Sequence, residues 1–550
     1  MNLRILELLA AVGTAFLSAA YVWTRQHYDQ IANETAKSNP ALPRYLASHD
    51  DDGNNNNNNN QPSFLEKLQC VLLHVTTKWT RHLHKTPYAL VAEPHKYIPG
   101  LKPTRAARKN EVSNIVNKDK SNKASPPPPL VIGTIRMGFG HHRISYAVAS
   151  YALQEENYDN RREVYFHDIA TIGDDESGLV DDAETAYSLG SRALTELPNG
   201  LERMVAKLSS NGGPNALRMQ VQTARLIKSL MEGLDRSSPI IATHPLVGAM
   251  AVAANFSTVV NLVVDNHPQW FVVVPGALNL VQGPRLYREL LKMGVPDADL
   301  ELAGHWNPRN IVQSIPQATE RRIHRIQHQQ PLRLLIPLGG AGAQQSFLTE
   351  LLHECIPLVK EGKLQLWLNA GDHEHMKTAF QDELERSKMD YQFISSVPAR
   401  NDFVANLTQD AAAEPSHPIT LFAYNTSYAA VTTTDELVPY ADVLVCKPSE
   451  MAFYAVPKLM IRRVGDHEAK SAVRAAEVGD GTLEAATVAQ VVTEIHQFWN
   501  KPSDLITMNR MIRHNHEIGM YDGAKIAVQR ALAMAEQNEV NGGDSAKTAL

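Results

Sequence analysis

The residues with the clearest chemical potential lie in Gly138-Phe139-Gly140-His141-His142-Arg143, where a glycine turn ends in two histidines. An imidazole titrates near neutral pH and can take the proton of a hydroxyl nucleophile. Glycines at 138 and 140 let backbone come close to a substrate. Two more histidines, His244 and His267, each precede a proline in Thr243-His244-Pro245-Leu246 and Asp265-Asn266-His267-Pro268-Gln269-Trp270. Asp372-His373-Glu374-His375 contains metal-ligand residue types. Adjacent helical positions point to different faces, whereas zinc needs convergent ligands, so no metal is expected there.

These residues need elements to position them. An apolar run, Leu130–Ile135, precedes the first glycine turn, and a helical pattern (Ile144, Ala147, Val148, Tyr151) follows it. Further β-branched runs at Val164–Asp168, Ile240–Thr243, Val259–Asp265, Leu278–Gln282 and Leu300–Ala303 alternate with helical stretches, which predicts a parallel sheet with crossover helices. The pattern then restarts. Leu332–Pro337 leads into a second glycine turn, Gly339-Gly340-Ala341-Gly342, with strands following at Leu364–Asn369, Tyr391–Ile394, Ile419–Phe422, Val443–Cys446 and Leu459–Ile461. Val397–Pro418 reads as a polar surface insertion. The expected fold is α/β, with two Rossmann-like domains that bring both glycine turns to one interdomain cleft. The boundaries are an N-terminal Rossmann-like domain at 130–310, an inter-domain linker at 311–331, a C-terminal Rossmann-like domain at 332–538 and a disordered tail at 539–550.

Composition narrows the function classes. A net charge of −6 gives no sign of a nucleic-acid partner. Three scattered cysteines, Cys70, Cys355 and Cys446, exclude a disulfide framework or a cysteine-rich zinc site. Ile5–Trp23 is apolar apart from Glu7 and is near the roughly 20 residues that span a bilayer. Residues 1–25 are therefore expected to be a signal anchor, or a signal peptide cleaved near Ser18-Ala19-Ala20. Residues 26–129 hold an asparagine tract and a proline run and read as a largely disordered linker. Within it, Leu65, Leu68, Val71, Leu72, Val75 and Trp79 fall on one helical face. The expected location is membrane-associated through the N-terminal segment, in an endomembrane or plastid envelope.

From Leu130 onward the ordered motifs resemble two-domain GT-B glycosyltransferases, and within them the monogalactosyldiacylglycerol synthase family. The resemblance rests on the two glycine turns and the His-Pro-Leu turn at 244–246. It rests equally on Val263-Val264-Asp265 with its following His-Pro and Trp, Ala303-Gly304-His305-Trp306, Leu368-Asn369-Ala370-Gly371-Asp372, and Tyr440–Lys447. It implies transfer of a hexose from a UDP-sugar to a lipid or other membrane-proximal hydroxyl, with inversion and without a further cofactor. It assigns His141 as general base and Asp265 as the carboxylate that orients it. Gly138, Gly140, His142, Arg143, His244, His267 and Trp270 become acceptor-side residues. Gly339, Gly340, Gly342, Gly371, Lys447, Ser449, Glu450, His467 and Glu468 become donor-side residues, with Glu450 on the ribose and Gly340 and Gly342 facing the phosphates. The segment Lys447-Pro448-Ser449-Glu450 is shorter than the family's glycine-rich loop, and Ser449 is expected to cap the helix that follows. Arg136, Arg143, Lys447, Arg462 and Arg463 are the cations available to a leaving diphosphate. A nucleotide-sugar epimerase or hydrolase using Asp168, Asp174, Asp175 and Glu176 is the alternative, and a catalytically silent binding protein a further one.

Overall fold

The computed structural model describes residues 3–47, 62–80, 89–107, 127–136, 139–154, 162–172, 213–339, 342–409, 416–465 and 468–548. The first sheet contains β1 (Leu90–Ala92), β2 (Leu101–Ala106), β3 (Leu130–Thr134), β4 (Val164–Asp168), β5 (Ile240–Ala242), β6 (Val259–Leu262), β7 (Leu278–Val281) and β8 (Leu300–Leu302). Their order is β1-β2-β4-β3-β5-β6-β7-β8. Every pair is parallel except β1 with β2. The second sheet contains β9 (Leu332–Pro337), β10 (Leu364–Asn369), β11 (Gln392–Ile394), β12 (Ile419–Phe422), β13 (Val443–Cys446) and β14 (Lys458–Met460). Its order is β11-β12-β10-β9-β13-β14, parallel throughout. Helices cover both faces of such sheets, which is why β3 and β9 are buried at every residue and mostly apolar, Arg333 of β9 being buried over the Trp367 ring.

The chain crosses between the sheets twice. The helix Arg309–Gln327 leaves the first and packs on the second: Ile311, Val312 and Ile315 share a core with Leu335 and Leu444. Its buried Arg322 donates to the carbonyls of Ala441 and Val438, and Arg325 pairs with Asp442 at 3.2 Å. The helix Gly523–Thr548 returns, and Ala524, Ala527, Val528 and Ala531 enter the core formed by Leu130, Ile132, Val148 and Ile241. The two crossings are laced together. The His305 amide donates to the Met520 carbonyl at 2.7 Å, and the Gly523 amide to the His305 carbonyl at 3.1 Å.

Four expectations are corrected. Residues 26–129 are not only tether, because β1 and β2 extend the first sheet beyond β4. Lys102 and Arg105 lie on half-buried positions of β2 and make the strand read as polar, while Leu101 and Thr104 are buried. No membrane-spanning anchor is found: among the described residues no helix is long and apolar enough to cross a membrane. The apolar N-terminal run is instead part of a helix, Leu3–Ser38, that continues onto the protein. Tyr28 and Ile31 are buried with Cys70 and Val71, Glu34 pairs with Arg225 at 2.8 Å, and Asn39 donates to the Pro275 carbonyl. The expected insertion contains a helix, Val397–Gln409, held by Phe403 and Leu407 against Trp367 and Phe422. The tail beyond 538 is helical as far as Thr548.

Gly304 sits at the crossing with φ of +93°, and a Cβ there would lie 2.5 Å from the Met520 carbonyl oxygen. Gly304→Ala is therefore expected to destabilise the protein by about 1–3 kcal/mol from the backbone conformation alone. A lowered denaturant midpoint would show this, and an unchanged midpoint would refute the crossing as a tight constraint.

Candidate active site

In each sheet the strand order reverses beside the first strand of its Rossmann unit, between β3 and β5 and between β9 and β13. Ligand crevices open at the carboxyl ends of strands at such points. The loops there are those carrying His141 and His244 in the first domain, and Gly339–Gly342 and Lys447–Glu450 in the second. The two crevices face each other. A Cβ added to Gly140 would lie 3.1 Å from Glu450 Oε2 across the seam.

His141 begins the helix Gly140–Ala152. Its Nδ1 lies 2.7 Å from the Thr243 carbonyl oxygen. A carbonyl only accepts, so Nδ1 carries the hydrogen and Nε2 keeps its lone pair. Burial holds the pKa of His141 below the usual histidine value, against the Thr243 bond and the charges of Asp265 and Glu450. The ring is therefore neutral near pH 7 and oriented as a base. His244 has the opposite tautomer. Its Nδ1 accepts from the Leu246 amide at 3.1 Å, which leaves hydrogen on Nε2. Burial, then the neighbouring His141, push its pKa well down. The two rings meet edge to face with centroids 4.6 Å apart. One lone pair and one N–H thus stand side by side at the mouth of the first crevice.

The structure places the other first-domain residues unevenly. Asp265 is half-buried beyond β6, and its charge acts on His141. His142 turns away and its Nε2 pairs with Asp168 at 2.8 Å, both side chains buried. Burial alone would raise the Asp168 pKa; His142 and the Ala170 amide outweigh it and hold the carboxylate ionised. Arg143 does not face a ligand. Its Nη1 donates to Asp435 Oδ1 at 2.8 Å and to the Val431 carbonyl at 3.1 Å, with the Tyr454 hydroxyl at 3.4 Å and Glu450 3.6 Å from Nε. Trp270 is a core residue, 5% exposed, packed with Val263, Val272 and Val281. His267 is half-buried on the loop after β6. Gly138 lies outside the described residues.

On the donor side, Gly339 lies against Lys447: a Cβ there would meet Cε at 2.7 Å. The Lys447 ammonium pairs with Glu468, whose other oxygen accepts from the Val464 amide at 2.7 Å. Gly342 has φ of +60°, and the rings of His375 and His373 fill its Cβ position at 2.8 and 2.9 Å. The Asp372–His375 segment therefore serves as a prop. His375 Nε2 contacts the Gly342 carbonyl at 2.9 Å and His373 Nε2 the Gly339 carbonyl at 3.3 Å. Among the described residues no three side chains converge as a metal site. Ser449 is not a side-chain cap. Its buried Oγ has no hydrogen-bond partner, and the turn it precedes, Glu450–Phe453, has only four residues. Gly340 and His467 lie outside the described residues, as do Asp174, Asp175 and Glu176.

Two features escaped the sequence. The cations expected to serve a diphosphate are largely engaged: Arg136 pairs with Asp372 at 3.2 Å, Arg463 with Glu484, and Arg462 lies over the Phe347 ring. The second is Phe139, which is buried with Ala430 and Val431 of the other domain, stacks on His373 at 5.4 Å and would lie 3.1 Å from a Cβ added to Gly371. An aromatic residue inside a glycine turn was the signal that could have disclosed it.

Residues 86–290 match the family model DUF6937 and residues 295–532 match DUF6938, each described as a domain of unknown function. Neither is the monogalactosyldiacylglycerol synthase family. No curated protein matches the chain in sequence. Solved structures similar to it include UDP-GlcNAc 2-epimerase from Neisseria meningitidis bound to UDP-GlcNAc, at 11% identity over 74% of this chain and 99% of that one, TM-score 0.40. Another is UDP-N-acetylglucosamine 2-epimerase from Rickettsia bellii, at 13% identity over 74% and 96%, TM-score 0.38. A third is Anabaena Alr3699/HepE in complex with UDP-glucose, at 11% identity over 76% and 100%, TM-score 0.33. At such scores these likenesses carry no argument, and the architecture stands on the chain's own sheet orders: α/β, with two parallel-sheet domains.

Proposed function

We propose that the chain is a UDP-sugar-dependent hexosyltransferase working in the interdomain cleft. The observation that supports this most directly is His141, a neutral imidazole with its Nε2 lone pair available, at the seam where the two strand-order reversals face each other. The acceptor hydroxyl loses its proton to His141 Nε2 as its oxygen bonds to the anomeric carbon. The bond from that carbon to the diphosphate oxygen breaks on the opposite face, which inverts the centre. Asp265 stabilises the imidazolium that forms, and the His244 N–H orients the acceptor. Gly140, the half-buried His267 and the His142–Asp168 pair shape that side of the cleft.

The donor lies against Gly339–Gly342 and Gly371. Backbone amides and Lys447, held by Glu468, meet the charge developing on the diphosphate. Glu450 takes the ribose, and the unpartnered Ser449 hydroxyl gives a further polar contact. The reaction asks for no cofactor beyond its donor. A lipid acceptor rests on the family resemblance alone.

Epimerisation or hydrolysis of the nucleotide sugar is a second reading, and one observation favours it. The complementary tautomers of His141 and His244, with Asp265 and Glu450 acting on His141, form a proton-handling set that works without an acceptor. The two readings separate in one assay. With UDP-glucose or UDP-galactose and a mixture of hydroxyl acceptors, transfer releases UDP only when acceptor is present. UDP release, or deuterium uptake into the sugar from heavy water, without acceptor would overturn transfer.

His141→Ala is expected to lower kcat by about 10²–10⁴-fold while calorimetry finds UDP affinity unchanged. Wild-type turnover in this variant would refute the base assignment. Because the pKa of His141 is lowered, the base stays deprotonated as pH falls through the ordinary histidine range. The acidic limb of kcat/KM should therefore inflect below about pH 6.5. An inflection above that value would exclude His141 as the titrating group.

A further inference from the structure

We propose that the N-terminal helices and the helix Pro214–Ile227 form a binding site for an anionic amphiphile, a fatty acid held by its acyl chain with its carboxylate at Arg218. A cavity of about 410 Å³ lies where helices Leu3–Ser38, Leu42–Ala47, Phe64–Thr80 and Pro214–Ile227 meet. This falls within the roughly 300–1,000 Å³ that small-molecule sites occupy. Ile31, Ala32, Ala36, Leu42, Leu46 and Cys70 supply its apolar wall. Tyr28, Ala32 and Ala36 recur at helical spacing on one inward stripe. The two alanines leave space that a larger side chain would fill.

Of the polar lining residues, Asn33 is exposed, whereas Thr35 and Gln222 turn polar atoms to the protein. Thr35 Oγ1 donates to the Ile31 carbonyl and Gln222 Nε2 to the Cys70 carbonyl, each at 2.8 Å. Burial pushes the Cys70 thiol up to about 11, so it carries no charge. Arg218 lines the cavity and supplies positive charge there. Burial raises the Tyr28 hydroxyl pKa, and of the charged side chains Arg218 acts on it most strongly, ahead of Asp29 and Glu66. A lining that is mostly apolar and carries one cationic side chain suits a chain with one anionic end.

The same pair of helices, Leu3–Ser38 and Phe64–Thr80, also carries exposed apolar side chains outside the cavity lining. Tyr21 stacks on Phe64 at 5.3 Å, and both are exposed together with Leu65, Leu72 and Val75. This corrects the expected packing of helix Phe64–Thr80. Its predicted apolar face is largely turned outward, and Cys70 and Val71 are the residues it buries. The lining residues are all remote in sequence from the cleft loops, so the site stands whatever reaction the cleft performs.

Calorimetry on the full chain tests the proposal, with dodecanoate below its micellar concentration as probe and dodecyl maltoside as its neutral counterpart. Saturable one-to-one binding of dodecanoate is expected, at least about 10-fold tighter than that of the maltoside. Ala36→Phe should weaken dodecanoate about 10-fold or more with circular dichroism unchanged. Ala32→Ile serves the same purpose if that variant does not fold. Arg218→Gln should weaken dodecanoate to the level of the maltoside. Absence of saturable binding to the wild type, or unchanged binding in the cavity-filling variants, would overturn the site. Equal dodecanoate affinity in wild type and Arg218→Gln would overturn the carboxylate assignment.

Discussion

The buried guanidinium of Arg143 is the constraint on which the cleft depends. It rises from the first turn of the helix that carries His141 and enters the second domain, where Asp435, the Val431 carbonyl and the Tyr454 hydroxyl receive it. Burial works against its charge, and Tyr454, Asp435 and Glu450 more than offset this, so the pKa is raised. A buried ion pair adds little net stability compared with well-packed apolar groups, but leaving either partner alone costs about 3–5 kcal/mol. The pair therefore acts chiefly on geometry. Any separation of the domains must solvate or abandon a charge, so the helix start bearing His141 is held against Glu450.

That constraint shapes the chemistry available. Arginines that would suit a diphosphate serve instead to join the domains or the second domain's own loops: Arg143 with Asp435, Arg136 with Asp372, Arg463 with Glu484. At the seam stand two neutral, directional imidazoles of opposite tautomer, His141 and His244. Lys447 on this side is engaged as well, by Glu468. A site of this kind works by placing lone pairs and N–H groups rather than by a strong local field.

Legibility in the sequence followed burial. Strands buried on both faces, such as Leu332–Pro337 and Leu364–Asn369, stand out because their sequences are mostly large apolar residues, and their predicted bounds agree with the structure. β1 and β2 at the sheet's margin alternate with Lys102 and Arg105 and look like linker. The glycine turns were legible because backbone that must bend or approach closely has few residue types to choose from. Side-chain direction was not. Arg143 and Asp435 are 292 residues apart, and no local pattern shows that one will meet the other. Trp270 shares its residue type with stacking platforms yet faces a core, because the short turn Trp270–Val272 tucks it under the helix Pro284–Lys292. The apolar N-terminal run matched a bilayer in length, but length does not distinguish lipid from a protein surface that covers the same helix further along.

The two glycine turns are bound to each other through an aromatic contact. Phe139 of the first stacks on His373, and His373 with His375 holds the second by its carbonyls. Gly342 must be glycine because those rings occupy its Cβ position, and Gly371 is glycine where Phe139 presses on it. Each turn is thus shaped by side chains that belong to, or touch, the other domain. The His141 imidazole and the second glycine turn consequently share one mechanical unit, running from His141 through Phe139 and His373 to Gly339 and Gly342. A displacement at either end is felt at the other through packed rings and not through a flexible hinge.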